Sequence, residues 1–414
     1  MSKIQAPRGT HDVLPAQEAQ WLKVETVART VLEGAGYERI ETPTFEATEL
    51  FARGVGESTD IVQKEMYTLV DQGDRSVTLR PEGTAPVCRA YMEHGMHKLP
   101  QPVKLWYLSS FFRQEKPQAG RQRQFWQIGA EAIGSDDPAV DAESISLLWS
   151  ILESLGVRGV RLRINSLGTA ESRASYREEL QTYLRKHATS LSQEVVDRID
   201  LNPLRAFDSD HPGTQATMKA APRMKDFLSA DDAEHFAMVL ALLDRAEIGY
   251  DIDDTLVRGL DYYTRTIFEV TSDALGAQSG VGGGGRYDGL IEQLGGNATP
   301  GIGWASGIER ILLAAEPGIE PHPVLDLFVA WDEPRREAAF GLTHEARIAG
   351  LTAQMDLAGR SLKGQLKRAD RTGARHVAIL SEDGAVLKDM EIGEQEEVPV
   401  EGIVAAALRG RHIR

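Results

Sequence analysis

Cysteine is all but missing. Cys88 is the only one in 414 residues, so no intramolecular disulfide can form and no cysteine cluster can hold zinc or an iron–sulfur centre. A reducing compartment is expected. Long apolar runs are missing too: AMVLALL at 237–243 falls far short of the roughly 18–20 residues that span a bilayer. The N-terminal MSKIQAPRGTHDVLP carries no apolar signal core, so a soluble, cytoplasmic protein with no membrane partner is expected. Positive charge is in deficit: 46 Lys and Arg face 62 Asp and Glu, a net charge of −16. That balance argues against a general nucleic-acid coat and leaves room for local basic sites. The P-loop signature G-x-x-x-x-G-K-[ST] does not occur. His94 and His97 form neither an HExxH pair nor an i, i+4 pair, so they are expected on the surface, and no side chain is put forward as a metal ligand.

What is present is globular: 42% apolar and 26% charged residues, in a chain long enough for two or three domains. Trp21, Val24, Ala28, Val31 and Leu32 recur at helical spacing up to Gly34 and Gly36, and YERIETP then reads as a strand closed by Pro43. Strands follow at SVTLR (76–80), VKLWYLSSFFR (103–113) and RQFWQIGAEAIG (123–134). The last two flank KPQAGRQ and form a hairpin with a long cationic tip. A helix over 138–155 and a strand at VRLRI come next. Residues 168–248 are charged and helical in spacing without a convincing strand, a helical insertion. Strand character resumes at DDTLVRGLDYYTRTIFEV, followed by a glycine-rich segment and a helix over Ala305–Ala315. EPGIEPHP (316–323) marks a boundary, giving domains 1–323 and 324–414. In the second, VLDLFVAW, LTAQMDL and RHVAIL alternate with helical segments, which predicts a small α/β unit.

Several segments carry more polarity than their surroundings explain. FFRQEKPQAGRQRQFWQ holds Arg113, Lys116, Arg121 and Arg123 against Glu115. Guanidinium groups bind phosphate oxygens in bidentate fashion, and Phe125 offers a stacking face. Most such runs are solvated tips, but Arg113 is expected inside an apolar strand, where an unpaired charge costs on the order of several kcal/mol. QIGAE puts Gln127, Gly129 and Glu131 on one strand face, either converging on a ligand or facing water. In TLRPEGTAP, Thr84 reads as an N-cap, and Glu82 could take an amine cation. GVGGGGRYDGL satisfies G-x-G-x-x-G at Gly280, Gly282 and Gly285, but no acid follows at the end of a second strand as dinucleotide binding requires. In TPGIGWASGIERIL, Arg310 lies on the first turns of a helix, where phosphate or adenine could be met, although surface arginines are common. LVRGLDYYTRTIFEV sets an arginine, an acid and two adjacent phenols into a buried strand, which suggests a polar pocket. SLKGQLKRADRTGAR, with Arg360 before it, gathers six cations around Asp370, either a solvated helix face or an RNA-backbone contact.

In this order, the segments resemble the class II aminoacyl-tRNA synthetases, and among them the histidine-specific family. The likeness runs from RGTHDVLP at 8–15 through the C-terminal domain. Its class motifs are the helix and strand ending at Pro43, the FRQE-loop-RQRQF hairpin and GIGWASGIERIL; its histidine motifs are LVRGLDYYTRTIFEV and GGGRYDGL. The resemblance implies an α+β catalytic domain with an antiparallel sheet flanked by helices, a C-terminal anticodon-binding domain and a homodimer. It implies ATP with Mg²⁺, L-histidine and the cognate tRNA, with histidyl adenylate as the intermediate. By resemblance, Arg113 would bind the α-phosphate, Glu115 the adenine amino group, and Phe125 the adenine ring; Arg121 and Arg310 would serve the γ-phosphate. Glu82, Thr84 and Gln127 would receive the ammonium group, Glu131 and Tyr263 the imidazole, and Tyr262 and Tyr287 would line its pocket. Arg258 would lie between the substrate carboxylate and the α-phosphate, and with Arg113 would be catalytic. Gln118, Arg123, Lys363, Lys367, Arg368 and Arg371 would contact tRNA.

The chain departs from the family in having Gln122 where Tyr is more frequent and Trp126 where His is. A histidine-sensing regulatory subunit of ATP phosphoribosyltransferase shares this fold, but such paralogues typically lack the C-terminal domain and lose ATP-handling residues. Arg113, Glu115, Arg258 and Arg310 are all present here. Synthetases for proline or threonine do not share RGLDYY with the Gln127 and Glu131 pair, and the density of matched polar positions weighs against a nucleotide-binding module without chemistry.

Overall fold

Apolar side chains on both faces of VKLWYLSSFF and QFWQIGAEAI call for a sheet covered on both sides. A computed structural model, which describes residues 3–56, 59–257, 259–276, 279–316 and 325–411, has that architecture. The chain divides into two units, Met1–Gly318 and Ile319–Arg414. The proline-rich boundary expected at 316–323 lies, apart from Glu316, outside the described residues.

The strands of the first unit are β1 (Glu38–Arg39), β2 (Phe45–Ala47), β3 (Tyr67–Val70), β4 (Ser76–Leu79), β5 (Val103–Phe112), β6 (Gln124–Ile133), β7 (Val160–Ser166), β8 (Tyr250–Ile252), β9 (Thr264–Ser272), β10 (Gly280–Arg286) and β11 (Gly301–Gly307). Eight form one sheet in the order β1-β5-β6-β11-β10-β9-β7-β8, while β2-β4-β3 form a small one. The six central strands of the large sheet pair antiparallel, and only its edge strands β1 and β8 pair parallel.

The helices of this unit are α1 (Pro15–Gly34), α2 (Thr48–Val55), α3 (Thr84–Glu93), α4 (Pro138–Ser154), α5 (Ala170–Lys186), α6 (Gln193–Arg198), α7 (Pro212–Met218), α8 (Ala230–Arg245), α9 (Leu290–Gln293) and α10 (Ile308–Ala314). One face of the sheet packs on α1, α4 and α8, where Val24, Ala28, Leu32, Ile145, Leu148, Val239 and Leu243 meet Trp106, Ile128 and Ala130. The other face, with Tyr107, Phe111, Tyr263 and Tyr287, packs on Val87, Cys88 and Tyr91 of α3. The strand period of two therefore sends Ile128 and Ala130 to the helical core and Phe125, Gln127, Gly129 and Glu131 to the opposite face. Between α5 and α8 the insertion has a core of its own, including Tyr176, Leu180, Leu184, Val195 and Met218. The inner face of α8 belongs to the main core instead.

Two local expectations change. Of RGLDYY, residues 259–263 are not strand: they bend and turn, and β9 starts only at Thr264. Asp261 sends its N–H to the Val55 carbonyl at 3.3 Å rather than to a neighbouring strand. Ala305–Gly307, expected as helix, close β11 before α10 begins. The glycine-rich segment is a central strand, β10, paired on both sides.

In the second unit, β12 (Leu325–Trp331), β13 (Ala353–Met355) and β14 (Ala374–Ser381) pair parallel, with β12 central. An antiparallel extension, β15 (Gly384–Asp389) and β16 (Gln395–Glu397), was not expected from the sequence. Helices α11 (Arg336–Ile348), α12 (Leu362–Arg371) and α13 (Val400–Arg411) complete it.

Candidate active site

Glu131 has no exposed surface and stands among hydroxyl groups. Thr84 Oγ1 donates to its Oε1 at 2.8 Å, Tyr107 to the same oxygen at 3.4 Å, and Tyr287 to Oε2 at 2.7 Å. Burial dominates over these donors and pushes its pKa up to about 8. Close approach of glycine backbone makes the room: a Cβ on Gly303 would overlap Glu131 Oε2, and one on Gly129 would overlap the Tyr107 ring. Tyr262 and Tyr263 are buried with ring centroids 4.7 Å apart, and Tyr262 lies 5.9 Å from Tyr287. Burial raises the phenol pKa values of Tyr107, Tyr262 and Tyr287 well above the ordinary range, so these groups act as neutral hydrogen-bonding partners. The result is a buried cluster of hydroxyl groups around the Glu131 carboxyl.

Glu82 and Thr84 exchange the parts expected of them. Thr84 is already in α3, and the carboxylate of Glu82 accepts from the N–H groups of Thr84 at 2.7 Å and Ala85 at 2.9 Å, so Glu82 caps the helix. That leaves the Thr84 hydroxyl to Glu131. Glu82 is buried, which raises its pKa. Gln127, four residues before Glu131 and on the same face of β6, lines the neighbouring cleft.

That cleft, about 410 Å³, brings together Arg113, Glu115, Arg121, Phe125, Gln127 and Arg310, and adds Gln122, Glu269 and Glu309. Arg113 follows β5 rather than lying within it: half-buried, it donates from Nε to the Pro81 carbonyl at 2.9 Å and lies 5.4 Å over the Phe125 ring. Arg121 reaches Glu115 at 3.3 Å. Arg310 is half-buried and hydrogen-bonded to the Gly280 carbonyl; burial, together with Arg121, lowers its pKa. Three guanidinium groups and three carboxylates thus line one cleft, and Glu115 lies between Arg121 and Arg113, the latter at 3.8 Å. The backbone N–H of Trp126 donates to both oxygens of Glu309, at 3.1 and 3.2 Å, and burial brings the Glu309 pKa up to about 7. The Trp126 side chain points away, against Trp21 of α1 at 5.9 Å; of the two departures from the family pattern only Gln122 touches the cleft.

Other named residues stand elsewhere. Arg258 lies outside the described residues. Gln118 is exposed in the hairpin loop, whereas Arg123 donates to the Glu115 carbonyl at 3.2 Å and its N–H to the Gly9 carbonyl at 2.7 Å, a tie to the N-terminal segment. On α12, Lys363, Lys367 and Arg371 are exposed at i, i+4 and i+8 and so share one face. Arg368 is half-buried, and Arg360 and Arg375 pair with Asp356 at 2.6 Å and Asp326 at 3.6 Å. The basic cluster is thus smaller than six. His94 and His97 are exposed.

The sequence reading missed Tyr107, Glu309 and the support beneath Tyr287. Within GGGRYDGL, Arg286 is fully buried against Asp141 at 2.8 Å and Asp288 at 3.0 Å, Asp288 accepts from Thr264 at 3.2 Å, and His235 of α8 meets Asp141 at 2.8 Å. The arginine and the acid of that motif hold the frame; only the tyrosine between them faces the pocket. For Tyr107 a signal was available, since it lies opposite Gly129 across the hairpin.

Comparison with known proteins gives the family. The family model for histidyl-tRNA synthetase matches residues 9–311. A histidine–tRNA ligase from Desulfitobacterium hafniense is 47% identical over 408 residues, 96% of each chain, and one from Desulforamulus reducens is 48% identical over 407 residues, 96% of this chain and 97% of that one. The structure of apo histidyl-tRNA synthetase from S. aureus superposes with a TM-score of 0.81 at 37% identity, covering 98% of this chain and 99% of that one. The chain belongs to the histidyl-tRNA synthetase family.

Proposed function

We propose that the chain joins histidine to its tRNA in two steps, with both substrates of the first step held along β6. The observation that carries this reading is the pairing of a cleft that gathers three guanidinium groups (Arg113, Arg121, Arg310) beside Phe125 with the buried cluster of hydroxyl groups around Glu131. In the first step the carboxylate of histidine attacks the α-phosphorus of ATP, forming a C–O–P linkage and releasing pyrophosphate. Two anions must approach, so fixed positive charge at the phosphates is what the step requires, and no protein nucleophile takes part. In the second step a ribose hydroxyl at the tRNA 3′ end attacks the histidyl carbonyl and AMP leaves.

Arg113 is placed for the α-phosphate, with Phe125 beside it as a platform for adenine; Glu115 takes the adenine amino group, and Arg121 and Arg310 the γ-phosphate end. Arg258 keeps the role that the family resemblance implies. Mg²⁺ would accompany the phosphates: among the described residues no group of three acids or histidines is set to hold a metal alone, but Glu269 and Glu309 line the cleft. One or two carboxylates with substrate phosphates suit Mg²⁺, which supplies further charge neutralisation there. Glu131 and Tyr263 address the imidazole, Tyr262 and Tyr287 line the pocket, and Glu82, Thr84 and Gln127 face the ammonium group. A site that satisfies both ring nitrogens rejects apolar analogues by about 10⁴- to 10⁵-fold, because its own polar groups would be left unpaired.

Gln118 and Arg123 near the acceptor end, and Lys363, Lys367, Arg368 and Arg371 at the anticodon, are assigned to tRNA; residues 324–414 would form the anticodon-binding domain and 1–323 the catalytic one. No helix among the described residues is long and apolar enough to cross a membrane, in keeping with a cytoplasmic protein. Exposed Phe45, Leu69 and Val70 give a homodimer contact an apolar surface. The test is histidine-dependent ATP–pyrophosphate exchange followed by charging of purified tRNA. Tight histidine binding without exchange would favour a regulatory, histidine-sensing role instead. Tyr263→Phe should raise KM for histidine far more than KM for ATP; equal effects would refute the pocket assignment.

A further inference from the structure

The helical insertion grips the loop that carries Tyr262 and Tyr263 at both ends. After the phenols, Arg265 donates from Nε to Asp232 at 3.1 Å and from its N–H to the Gly168 carbonyl at 2.8 Å, and its own carbonyl accepts from the Leu167 N–H at 2.7 Å. Asp232 is buried and is itself held by Ser172 Oγ at 2.8 Å and the Thr169 N–H at 3.1 Å. Arg265 has a φ of 44°, an uncommon conformation for a residue with a side chain, so this anchor sets the direction of the chain. Before the phenols, Asp261 Oδ1 accepts from Asn202 Nδ2 at 3.1 Å. The same stretch of the insertion holds a second loop of the catalytic unit, because Arg198 and Arg205 each reach Asp60 at 3.2 Å. Asn202 sits between those arginines and donates its N–H to the Arg198 carbonyl at 2.8 Å, so its amide is placed by a turn that is itself pinned.

We infer that the insertion is a positioning element for the amino-acid pocket, and that the link between Asn202 and Asp261 sets where Tyr262 and Tyr263 stand. The inference rests on the reading of that pocket as the histidine site. Asp261 is bonded directly to Tyr262, whose ring packs on Tyr263 and Tyr287, and Tyr287 donates to Glu131. A shift of Asp261 therefore passes through Tyr262 to Tyr263 and Tyr287, and through Tyr287 to Glu131. Arg113, Arg121 and Arg310 take no part in this chain of contacts, so losing the link acts on histidine binding more than on ATP binding.

The test uses full-length Asn202→Ala, Asn202→Asp, and the exchanged pair Asn202→Asp with Asp261→Asn, in which donor and acceptor trade places. Histidine-dependent ATP–pyrophosphate exchange is measured with thermal melting alongside. Asn202→Ala should raise KM for histidine about tenfold, equivalent to about 1.4 kcal/mol and within reach of one hydrogen bond to a charged group. KM for ATP should rise less than KM for histidine. Asn202→Asp, which sets two carboxylates together, should be worse than Asn202→Ala, and the exchanged pair should recover most of the loss. An unchanged KM for histidine in Asn202→Ala, equal rises in both KM values, a lower Tm with unchanged KM, or no recovery in the exchanged pair would each overturn the inference. No histidine-dependent exchange in the unmodified chain would overturn the histidine reading itself, and the inference with it.

Discussion

Replacing Glu131 by Gln should strengthen the fold while it damages the function, and the two effects can be measured separately. The carboxyl is fully buried, and its pKa rises from the ordinary 4.5 to about 8. A carboxyl whose pKa is raised by folding keeps its proton after the unfolded chain has lost it. Stability therefore falls as pH climbs from about 4.5 to about 8, and the loss is complete above that. The rise corresponds to at most about 5 kcal/mol for ionising Glu131 in the empty site. The hydrogen bonds from Thr84, Tyr107 and Tyr287 favour the ionised form and are already counted in that balance. Gln is isosteric with the protonated carboxyl and cannot ionise. Its stability in urea should be similar to that of the unmodified chain near pH 4, where Glu131 is protonated in both states, then exceed it by roughly 1–4 kcal/mol at pH 9, a discounted share of that ceiling. Histidine brings a ring that can carry charge, and a charged partner at hydrogen-bond distance is worth about 2–4 kcal/mol in the interior. Loss of that partner should raise KM for histidine by about 30- to 1,000-fold, with KM for ATP little changed. Paired urea titrations at pH 4 and 9 and exchange kinetics give both readings. A Glu131→Gln variant less stable than the parent at pH 9, or one with an unchanged KM for histidine, would refute the account of Glu131 as a buried acid awaiting a cationic partner.

Three further outcomes are expected. Arg310→Ala should raise KM for ATP at least about tenfold through loss of a charge-assisted contact, with KM for histidine nearly unchanged; the reverse pattern in exchange kinetics would move Arg310 out of the ATP cleft. Gly303→Ala puts a methyl group onto Glu131 Oε2 in a strand paired on both sides, so thermal melting should show about 1–3 kcal/mol of destabilisation and exchange should be lost. A variant with parental Tm and full exchange would show that β11 can yield. The triple variant Lys363→Ala, Lys367→Ala, Arg371→Ala should leave exchange intact, weaken tRNA binding, and reduce its salt slope by about 2–3; an unchanged slope would remove α12 from the interface.

The site was legible where strand periodicity carried the information and obscure where a backbone turn did. Gln127 and Glu131 could be put on one face of β6 by counting, although counting alone left water and ligand equally possible; only the cover provided by α3, Tyr107 and Tyr287 decides between them. Thr84 and Glu82 show the opposite case. Thr is a favoured cap residue and Glu is not, yet α3 starts at Thr84 and Glu82 accepts from its first N–H groups, a shift of one residue that propensities do not resolve. RGLDYY looked like strand because its flanks are apolar and β-branched, yet Asp261 is tied to Asn202, 59 positions away in sequence, a contact no local pattern contains. Glycine in β10 hid a central strand for a similar reason: strand propensity reports side-chain packing, and β10 supplies space for its neighbours instead.

One strand does the measuring between the two substrates. At about 3.3 Å per residue, the six steps from Phe125 to Glu131 cover roughly 20 Å, with Gln127 between the ring proposed for the nucleotide and the acid proposed for the imidazole. Because side chains of like parity share a face, a single-residue slip of β6 would carry Phe125, Gln127 and Glu131 to the helical core and bring Trp126, Ile128 and Ala130 into the site. That slip is opposed on both edges, by ten paired residues of β5 and seven of β11. It is also opposed by volume: Trp126 packs on Trp21, and the other face has room only for the glycine at 129 beside Tyr107. The register that buries the core is therefore the one that spaces the nucleotide cleft from the amino-acid pocket, and a change that loosened β6 would lose both substrates together rather than either alone.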